Sequence, residues 1–145
     1  ALAQQPESLT YEFITNLLEV RSSLAPAYAS LAVSRADEAL IAFLEACVNL
    51  HGTPEAYAQA DQELHHRLTL QSGNPIFTLI YNGFRKLSYQ AGLRYFASPE
   101  AREYSRAYYQ GLLQDARQKD GASAEERTRQ VMQNSLIYWQ RTLNP

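Results

Sequence analysis

The segment from residue 72 to residue 96, SGNPIFTLIYNGFRKLSYQAGLRYF, limits the possible folds of this chain more than any other. It opens with a glycine that ends one helix and an Asn-Pro pair that starts the next. The remainder is apolar and aromatic with few charges, which is typical of a buried helix. Gly83 and Gly92 interrupt it, although a glycine in a helix interior costs about 1 kcal/mol relative to alanine. We therefore expect a neighbouring helix or a ligand to approach the backbone closely at these positions.

The composition excludes several classes of protein. A chain of 145 residues forms one ordinary domain, and 46% hydrophobic against 19% charged residues predicts a globular protein rather than a disordered one. The net charge of −2 provides no overall attraction to nucleic acid or to an anionic membrane. No apolar run reaches the roughly 18 residues of a membrane span, and the N-terminus lacks a secretory pattern. The single cysteine, Cys47, excludes an internal disulfide and favours a cytoplasmic location.

Periodic apolar residues and helix-start motifs predict an all-α fold with six or seven helices. The first helix is expected from Leu9 to about Ala32, with a kink or break at Pro26. Ser34 with Asp37 resembles a capping box for a second helix that runs from about Arg35 to Leu50. No alternating stretch of strand length occurs.

The later helices begin with a cap followed by proline. Thr53-Pro54-Glu55 opens the third helix, which should reach Gln71; Asn74-Pro75 opens the fourth, and Ser98-Pro99-Glu100 opens a fifth that extends to about Lys119. Ser123 with Glu126 forms a capping box for a last helix that ends near Leu143.

Several polar residues lie on helix faces that should point into the core. Asp61, His65 and Ser72 share one face of the third helix by their spacing. The same spacing argument predicts that further residues on the other helices face the core: Arg21 on the first, Gly92 and Tyr95 on the fourth, and Met132, Ser135 and Trp139 on the last. An unpaired buried polar group costs roughly 1–3 kcal/mol, so the set indicates mutual hydrogen bonds, water or a polar ligand. Each residue also has a purely structural interpretation: Arg21 pairs with Asp61, His65 is a satisfied core histidine, and Trp139 is packing.

Asp61 and His65 also have the spacing of two metal ligands on one helical face. A metal site needs one or two further ligands, and the two other histidines are badly placed. His51 lies at a helix end, and His66 points about 100° away from His65. We therefore treat Asp61 and His65 only as weak metal candidates. Catalysis is not expected either, because the chain lacks a nucleophile elbow, a P-loop and a dinucleotide-binding glycine motif.

The run SGNPI..LI.NG...L....G..YF.(S/N)PEAR, here from Ser72 to Arg102, resembles the effector domain of the FadR family of GntR-type regulators of fatty-acid metabolism. The resemblance extends from Asn16–Arg21 through D-x-x-x-[HF] and SGN to Trp139, across nearly the whole chain. It implies that residues 1–8 are a linker remnant and that residues 9–145 are an acyl-CoA-binding effector domain. The N-terminal winged helix-turn-helix that would bind DNA is absent from this chain, which begins without methionine. The implied fold is an antiparallel helical bundle with an internal ligand cavity.

The resemblance also implies a ligand, a partner and a set of site residues. The ligand is long-chain acyl-CoA, with no cofactor and no membrane contact, and the full-length protein is a homodimer that releases DNA when the ligand binds. The residues expected to line the pocket are Arg21, Ser22, His65, Leu68, Ser72, Ile76, Gly92, Tyr95, Met132, Ser135 and Trp139. His65 stands where the family has phenylalanine, and Met132 where it has glycine. These differences affect the contacts with the CoA group and the acyl length.

Two other functions remain open at this stage. The wider superfamily includes domains that bind a metal and a small carboxylate through one Asp and three His, of which this chain keeps only Asp61 and His65. A helical protein-interaction scaffold with a solid core is the second alternative.

Overall fold

The computed structural model describes residues 10–143, with side chains as far as residue 141. This part of the chain is entirely helical, as expected, and contains six helices and no strand. The helices are α1 (Tyr11–Ser34), α2 (Glu38–Val48), α3 (Pro54–Gln71), α4 (Pro75–Tyr95), α5 (Pro99–Gln118) and α6 (Gly121–Leu143). The expected linker, residues 1–8, lies outside the described residues.

The helix starts at Thr53, Asn74 and Ser98 are confirmed. Each side chain accepts a hydrogen bond from a backbone N–H in the first helical turn, and proline follows at the first helical position. These caps depend on residues that are adjacent in sequence, so they are visible without the tertiary structure.

Two predicted capping boxes are wrong. Ser34 is the last residue of α1, and Asp37 is the residue that caps α2, through a 2.9 Å bond from the Leu40 N–H to its carboxylate. At the other end of the chain, Asp120 accepts the Ser123 N–H at 3.0 Å, so α6 begins at Gly121. In both places a carboxylate close to the predicted serine is the better acceptor for the free N–H groups.

Pro26 does not break α1, contrary to expectation. The helix continues through it to Ser34, and Pro26 is buried together with Ala25, Tyr28 and Ala29. Packing on both sides of the proline therefore outweighs the loss of one backbone hydrogen bond.

The two glycines of α4 differ. A Cβ atom on Gly92 would lie 3.2 Å from the Cβ of Ala58, so α3 approaches closely there, as expected. At Gly83 the expectation fails among the described residues, because a Cβ would meet none of their atoms within 4 Å. The next residue, Phe84, has φ −126° and ψ 15°, and kinks the helix.

The helices pack as antiparallel pairs around a shared core. α1 lies along α6, α3 along α4, and α2 along α5, while α1 also contacts α3 and α4. The largest cluster of buried residues joins α2 to the C-terminal half of α1 and to α5. A smaller one, which we call the cavity-end cluster, joins α1, α4 and α6 through Ile14, Leu17, Leu87, Ala91 and Trp139. Within the described residues, no helix combines the length and the apolar character that crossing a bilayer requires.

Candidate functional site

A cavity of about 50 Å³ lies inside the bundle beside the cavity-end cluster. Every helix except α2 contributes to its wall. The lining residues are Ile14, Leu18 and Arg21 from α1, Asp61 from α3, Ala91, Gly92 and Tyr95 from α4, Phe96 after it, Ser105 and Tyr108 from α5, and Val131, Met132, Ser135 and Trp139 from α6. The wall is mostly apolar with a few polar groups, which is the usual composition of a small-molecule site.

Six of the residues expected to bind ligand meet at this cavity although they come from three helices. They are Arg21, Gly92, Tyr95, Met132, Ser135 and Trp139. The Tyr95 hydroxyl donates to the Ser135 hydroxyl at 3.3 Å, which links α4 to α6 across the cavity wall. Burial raises the pKa of Tyr95 to about 12, so its hydroxyl stays protonated and available as a donor.

The other five expected residues lie elsewhere. Ser22 donates to the Leu18 carbonyl within α1, and Leu68 packs in the largest core cluster. Ser72 is buried at the end of α3, where its hydroxyl donates to the Thr69 carbonyl. Ile76 is exposed at the start of α4. His65 is buried in the core behind Asp61 and is not part of the cavity wall.

Sequence reasoning missed two polar wall residues, Ser105 and Tyr108 on α5. Tyr108 is buried and shares a 2.9 Å hydrogen bond with the Thr128 hydroxyl of α6. The spacing of three places both residues on one face of α5, and this was the available signal.

Arg21 and Asp61 form the charged side of the cavity. Their side chains are 3.3 Å apart, from Nη2 to Oδ2, and Tyr109 donates to the other carboxylate oxygen at 3.1 Å. Burial opposes the charge of Arg21, but Asp61 together with Tyr28 and Tyr81 more than offsets it, and the pKa of Arg21 lies above its ordinary value. The Nε atom of Arg21 is buried without a hydrogen-bond partner. One donor of the guanidinium is therefore left for a water molecule or a ligand atom.

His65 extends this polar network into the core. Its Nδ1 lies 2.6 Å from the Tyr28 hydroxyl, and its Nε2 lies 3.8 Å from Asp61 Oδ1 with no hydrogen-bond partner of its own. Burial, and then the charge of Arg21, lower the pKa of His65 to about 4. The histidine is therefore neutral at pH 7, and its tautomer determines whether Nδ1 accepts from the Tyr28 hydroxyl or donates to it. The sequence-based interpretation of His65 as a core histidine accounts for one ring nitrogen and not for the other.

An open groove of about 310 Å³ adjoins the cavity on the outside of α5 and α6. Tyr95 lines both spaces, so its ring separates the interior from the groove. The groove is also lined by Tyr104, Ile137, Tyr138 and Arg141, which supplies a cation.

Residues 1–144 match the family model described as the FadR C-terminal domain. The chain belongs to the FadR C-terminal domain family. This confirms the resemblance found in the sequence, and the all-helical bundle is consistent with that family.

Curated relatives of this FadR C-terminal domain are named "Fatty acid metabolism regulator protein". The protein of that name from Shewanella pealeana is 36% identical over 129 residues, which cover 89% of this chain and 54% of the relative. The protein of that name from Shewanella halifaxensis is 35% identical over 89% of this chain and 54% of the relative. The one from Erwinia tasmaniensis is 33% identical over 77% of this chain and 47% of the relative. This FadR C-terminal domain thus spans about half the length of the curated relatives it matches. The relatives carry the name of a regulator and not that of an enzyme.

The described residues of this FadR C-terminal domain contain no group of three or more His, Cys, Asp or Glu side chains placed to hold a metal ion. Asp61 and His65 do come together, but Asp61 is already engaged by Arg21 and Tyr109. Its carboxylate therefore stabilises the buried guanidinium of Arg21.

Proposed function

We propose that this chain is the ligand-sensing domain of a bacterial GntR/FadR-type transcription factor, and that it binds long-chain fatty acyl-CoA. The observation that carries the proposal is the cavity, an apolar space inside the bundle with a polar side at Arg21, Tyr95 and Ser135. The apolar wall suits an acyl chain, and the polar side suits a thioester and the amides of pantetheine.

The cavity must expand to accept such a ligand. At about 50 Å³ it holds a few water molecules and not a long hydrocarbon chain. Burial of a methylene contributes about 0.8 kcal/mol, so a dozen give a gross term near 10 kcal/mol, which the cost of association reduces. The remaining binding free energy is enough to separate the helices where their packing without ligand is only a few kcal/mol more favourable than the opened arrangement. The kink at Phe84, which packs against the cavity-end cluster, gives α4 a point at which it can bend.

The outer groove offers a place for the polar part of the ligand. An acyl chain in the cavity passes Tyr95 to leave the bundle, and the groove beyond it contains Arg141, which suits a phosphate group. Movement of the Tyr95 ring then opens the path between the two spaces.

The signal in the full-length protein would leave through α1. Ile14 and Leu18 line the cavity and lie in the first two turns of that helix. A ligand that separates α1 from α4 shifts the segment before α1, and with it the DNA-binding domains of the homodimer. A cytoplasmic location is part of this proposal.

A thermal-shift series tests the proposal. Unfolding of the chain is followed with CoA, with acyl-CoAs from two to eighteen carbons, and with the matching free fatty acids. We expect stabilisation that grows with chain length, and about 2.7 kcal/mol when the free ligand is 100 times its Kd. CoA alone should produce almost none.

Two variants identify the site in the same assay. Trp139→Ala and Tyr95→Ala should reduce the long-chain shift more than they reduce the stability of the free protein, because both side chains line the cavity. Tyr57→Ala is the control, since Tyr57 is a buried tyrosine that does not line the cavity, and it should lower stability while the ligand shift remains. The absence of any length dependence would refute acyl-CoA binding and favour a solid scaffold. One equivalent of bound transition metal in the purified protein would instead favour the metal-sensing alternative.

A further inference from the structure

Buried polar atoms without a hydrogen-bond partner occur on three helices that meet in the interior. Among the described residues they include Nε of Arg21 on α1, Nε2 of His65 on α3 and the hydroxyl oxygen of Ser88 on α4. Buried polar groups in folded proteins almost always have a partner, which is protein, water or a ligand. If these atoms lie close together, they indicate a place where a polar group from outside the chain binds.

Arg21 and His65 approach the same carboxylate. Arg21 Nη2 lies 3.3 Å from Asp61 Oδ2, and His65 Nε2 lies 3.8 Å from Asp61 Oδ1, which is too far for a hydrogen bond. The Tyr109 hydroxyl donates to that second oxygen at 3.1 Å. The unpaired nitrogen atoms of Arg21 and His65 are therefore both held close to Asp61.

Ser88 lies at the level of Asp61 because of the way in which α4 packs along α3. A Cβ on Gly92 would lie 3.2 Å from the Cβ of Ala58, which fixes one point of contact between the two antiparallel helices. Ser88 precedes Gly92 by four residues, so it shares that face of α4 and lies about one turn further along α3 than Ala58. That turn of α3 contains Asp61, and Ser88 is buried there.

The unpaired atoms surround the charged side of the cavity. Arg21 and Asp61 line the cavity, and no other charged side chain of the described residues does so. A plain hydrocarbon chain at this side leaves the donors unpaired, which weakens its binding. A carboxylate is repelled by Asp61. A hydroxyl group is uncharged, accepts a hydrogen bond from Arg21, and donates one to Asp61, His65 or Ser88.

We propose that the acyl chain of the preferred ligand carries a hydroxyl group, which binds among Arg21, His65 and Ser88. This rests on the proposed function and narrows its ligand class to long-chain hydroxyacyl-CoA. The thioester stays beside Tyr95, which borders the outer groove, so the hydroxyl is borne by a carbon further along the chain. The apolar remainder of the chain lies against the cavity-end cluster.

Thermal-shift titrations of the chain test this ligand class. A saturated long-chain acyl-CoA is compared with hydroxylated analogues of the same length, in which the hydroxyl is moved along the chain. At least one analogue should bind about tenfold more tightly than the saturated compound, as expected for one hydrogen bond to a charged donor. A carboxyl group at the same carbon should weaken binding, because Asp61 repels it.

Ser88→Ala removes one unpaired atom at almost constant volume. It should reduce the affinity for the hydroxylated analogue several-fold more than the affinity for the saturated one, whereas a merely structural serine would affect both equally. Ser22→Ala is the matched control, because Ser22 does not line the cavity and its hydroxyl donates to the Leu18 carbonyl within α1. Circular dichroism verifies that both variants stay folded.

The outcomes separate this proposal from the proposed function. Saturated acyl-CoAs that stabilise the protein with increasing length, and bind as tightly as every hydroxylated analogue, would overturn the hydroxyl site and leave the proposed function standing. Equal losses of both affinities in Ser88→Ala would also overturn it. The absence of stabilisation by any acyl-CoA would remove the proposed function itself.

Discussion

The two halves of α1 show how one bundle contains both a tight core and a cavity. In the C-terminal half, Ala25, Ala29 and Ala32 are completely buried, and α6 comes so close that a Cβ on Gly121 would lie 2.6 Å from the Ser30 carbonyl oxygen. In the N-terminal half, Ile14, Leu18 and Arg21 hold the neighbouring helices further apart and leave the cavity. Side-chain size along a single helix therefore decides where the bundle is closed and where it can open.

The polar groups follow the same division. In the closed half, the buried Asp115 accepts from Arg127 at 2.8 Å and from Ser123 at 2.8 Å, so its carboxylate is fully engaged. In the cavity half, Arg21 Nε and His65 Nε2 are buried without hydrogen-bond partners. Of these two residues, only Arg21 lines the cavity, where its unpaired donor is costly unless a ligand or water pairs with it.

The largest expected effect comes from breaking the charge pair of the cavity half. Asp61→Ala leaves the Arg21 guanidinium buried and unpaired, so it should lower the free energy of unfolding by about 3–5 kcal/mol in a urea titration. Glu63→Ala on the same helix is the control and should cost less than about 1 kcal/mol, because its pairs with Arg67 and Arg85 are partly exposed. A double Arg21→Met, Asp61→Leu variant should recover most of the loss. Equal losses for Asp61→Ala and Glu63→Ala would contradict the assigned burial.

A pair of enlarged alanines tests the difference in packing directly. Ala32→Leu inserts atoms into the closed half and should cost about 1–3 kcal/mol. Ala91→Leu directs the same atoms into the cavity and should change stability by less than about 1 kcal/mol, since leucine is nearly as good a helix former as alanine. Thermal unfolding measures both variants. Under the proposed function Ala91→Leu should also abolish the long-chain acyl-CoA shift, and similar destabilisation by the two variants would show that no usable cavity exists.

The last expected effect is the pH dependence caused by His65. Its folded-state pKa of about 4 is below the unfolded value near 6.5, so the unfolded chain binds a proton more readily between these values. Stability is complete above about pH 6.5 and decreases as the pH falls toward 4. At pH 5 the loss should be about 2 kcal/mol as an order of magnitude, measured by urea titration.

His65→Gln should flatten that dependence. His51→Gln, which changes an exposed histidine at a loop, should leave it intact and serves as the control. An unchanged slope in His65→Gln would mean that the ring is not held neutral by burial.

The helices were predictable because their signals are local. Thr53, Asn74 and Ser98 cap helices within one turn of themselves, so the starts of α3, α4 and α5 follow from adjacent residues. The errors arose where two local signals competed. Near Ser34 and Ser123, a neighbouring carboxylate caps the helix in place of the serine. Pro26 stays within α1 because of packing that the sequence does not display.

The candidate site was predictable only in part. Helical periodicity and the family resemblance together indicated Arg21, Gly92, Tyr95, Ser135 and Trp139, and these do meet at the cavity. They also selected Ser22, Leu68, Ser72 and Ile76, which lie elsewhere in this structure. An inward-facing position shows that a residue enters the core, but it does not show which part of the core the residue enters.

The sequence by itself determined the helices, the family and several of the polar residues that enter the interior. The tertiary structure alone decided that Arg21 meets Asp61 from a helix forty residues away, that Tyr95 separates the cavity from the groove, and that nothing covers Gly83. The reason is that helix caps and periodicity depend on neighbours within a few residues, whereas a cavity is the space left between side chains of five separate helices.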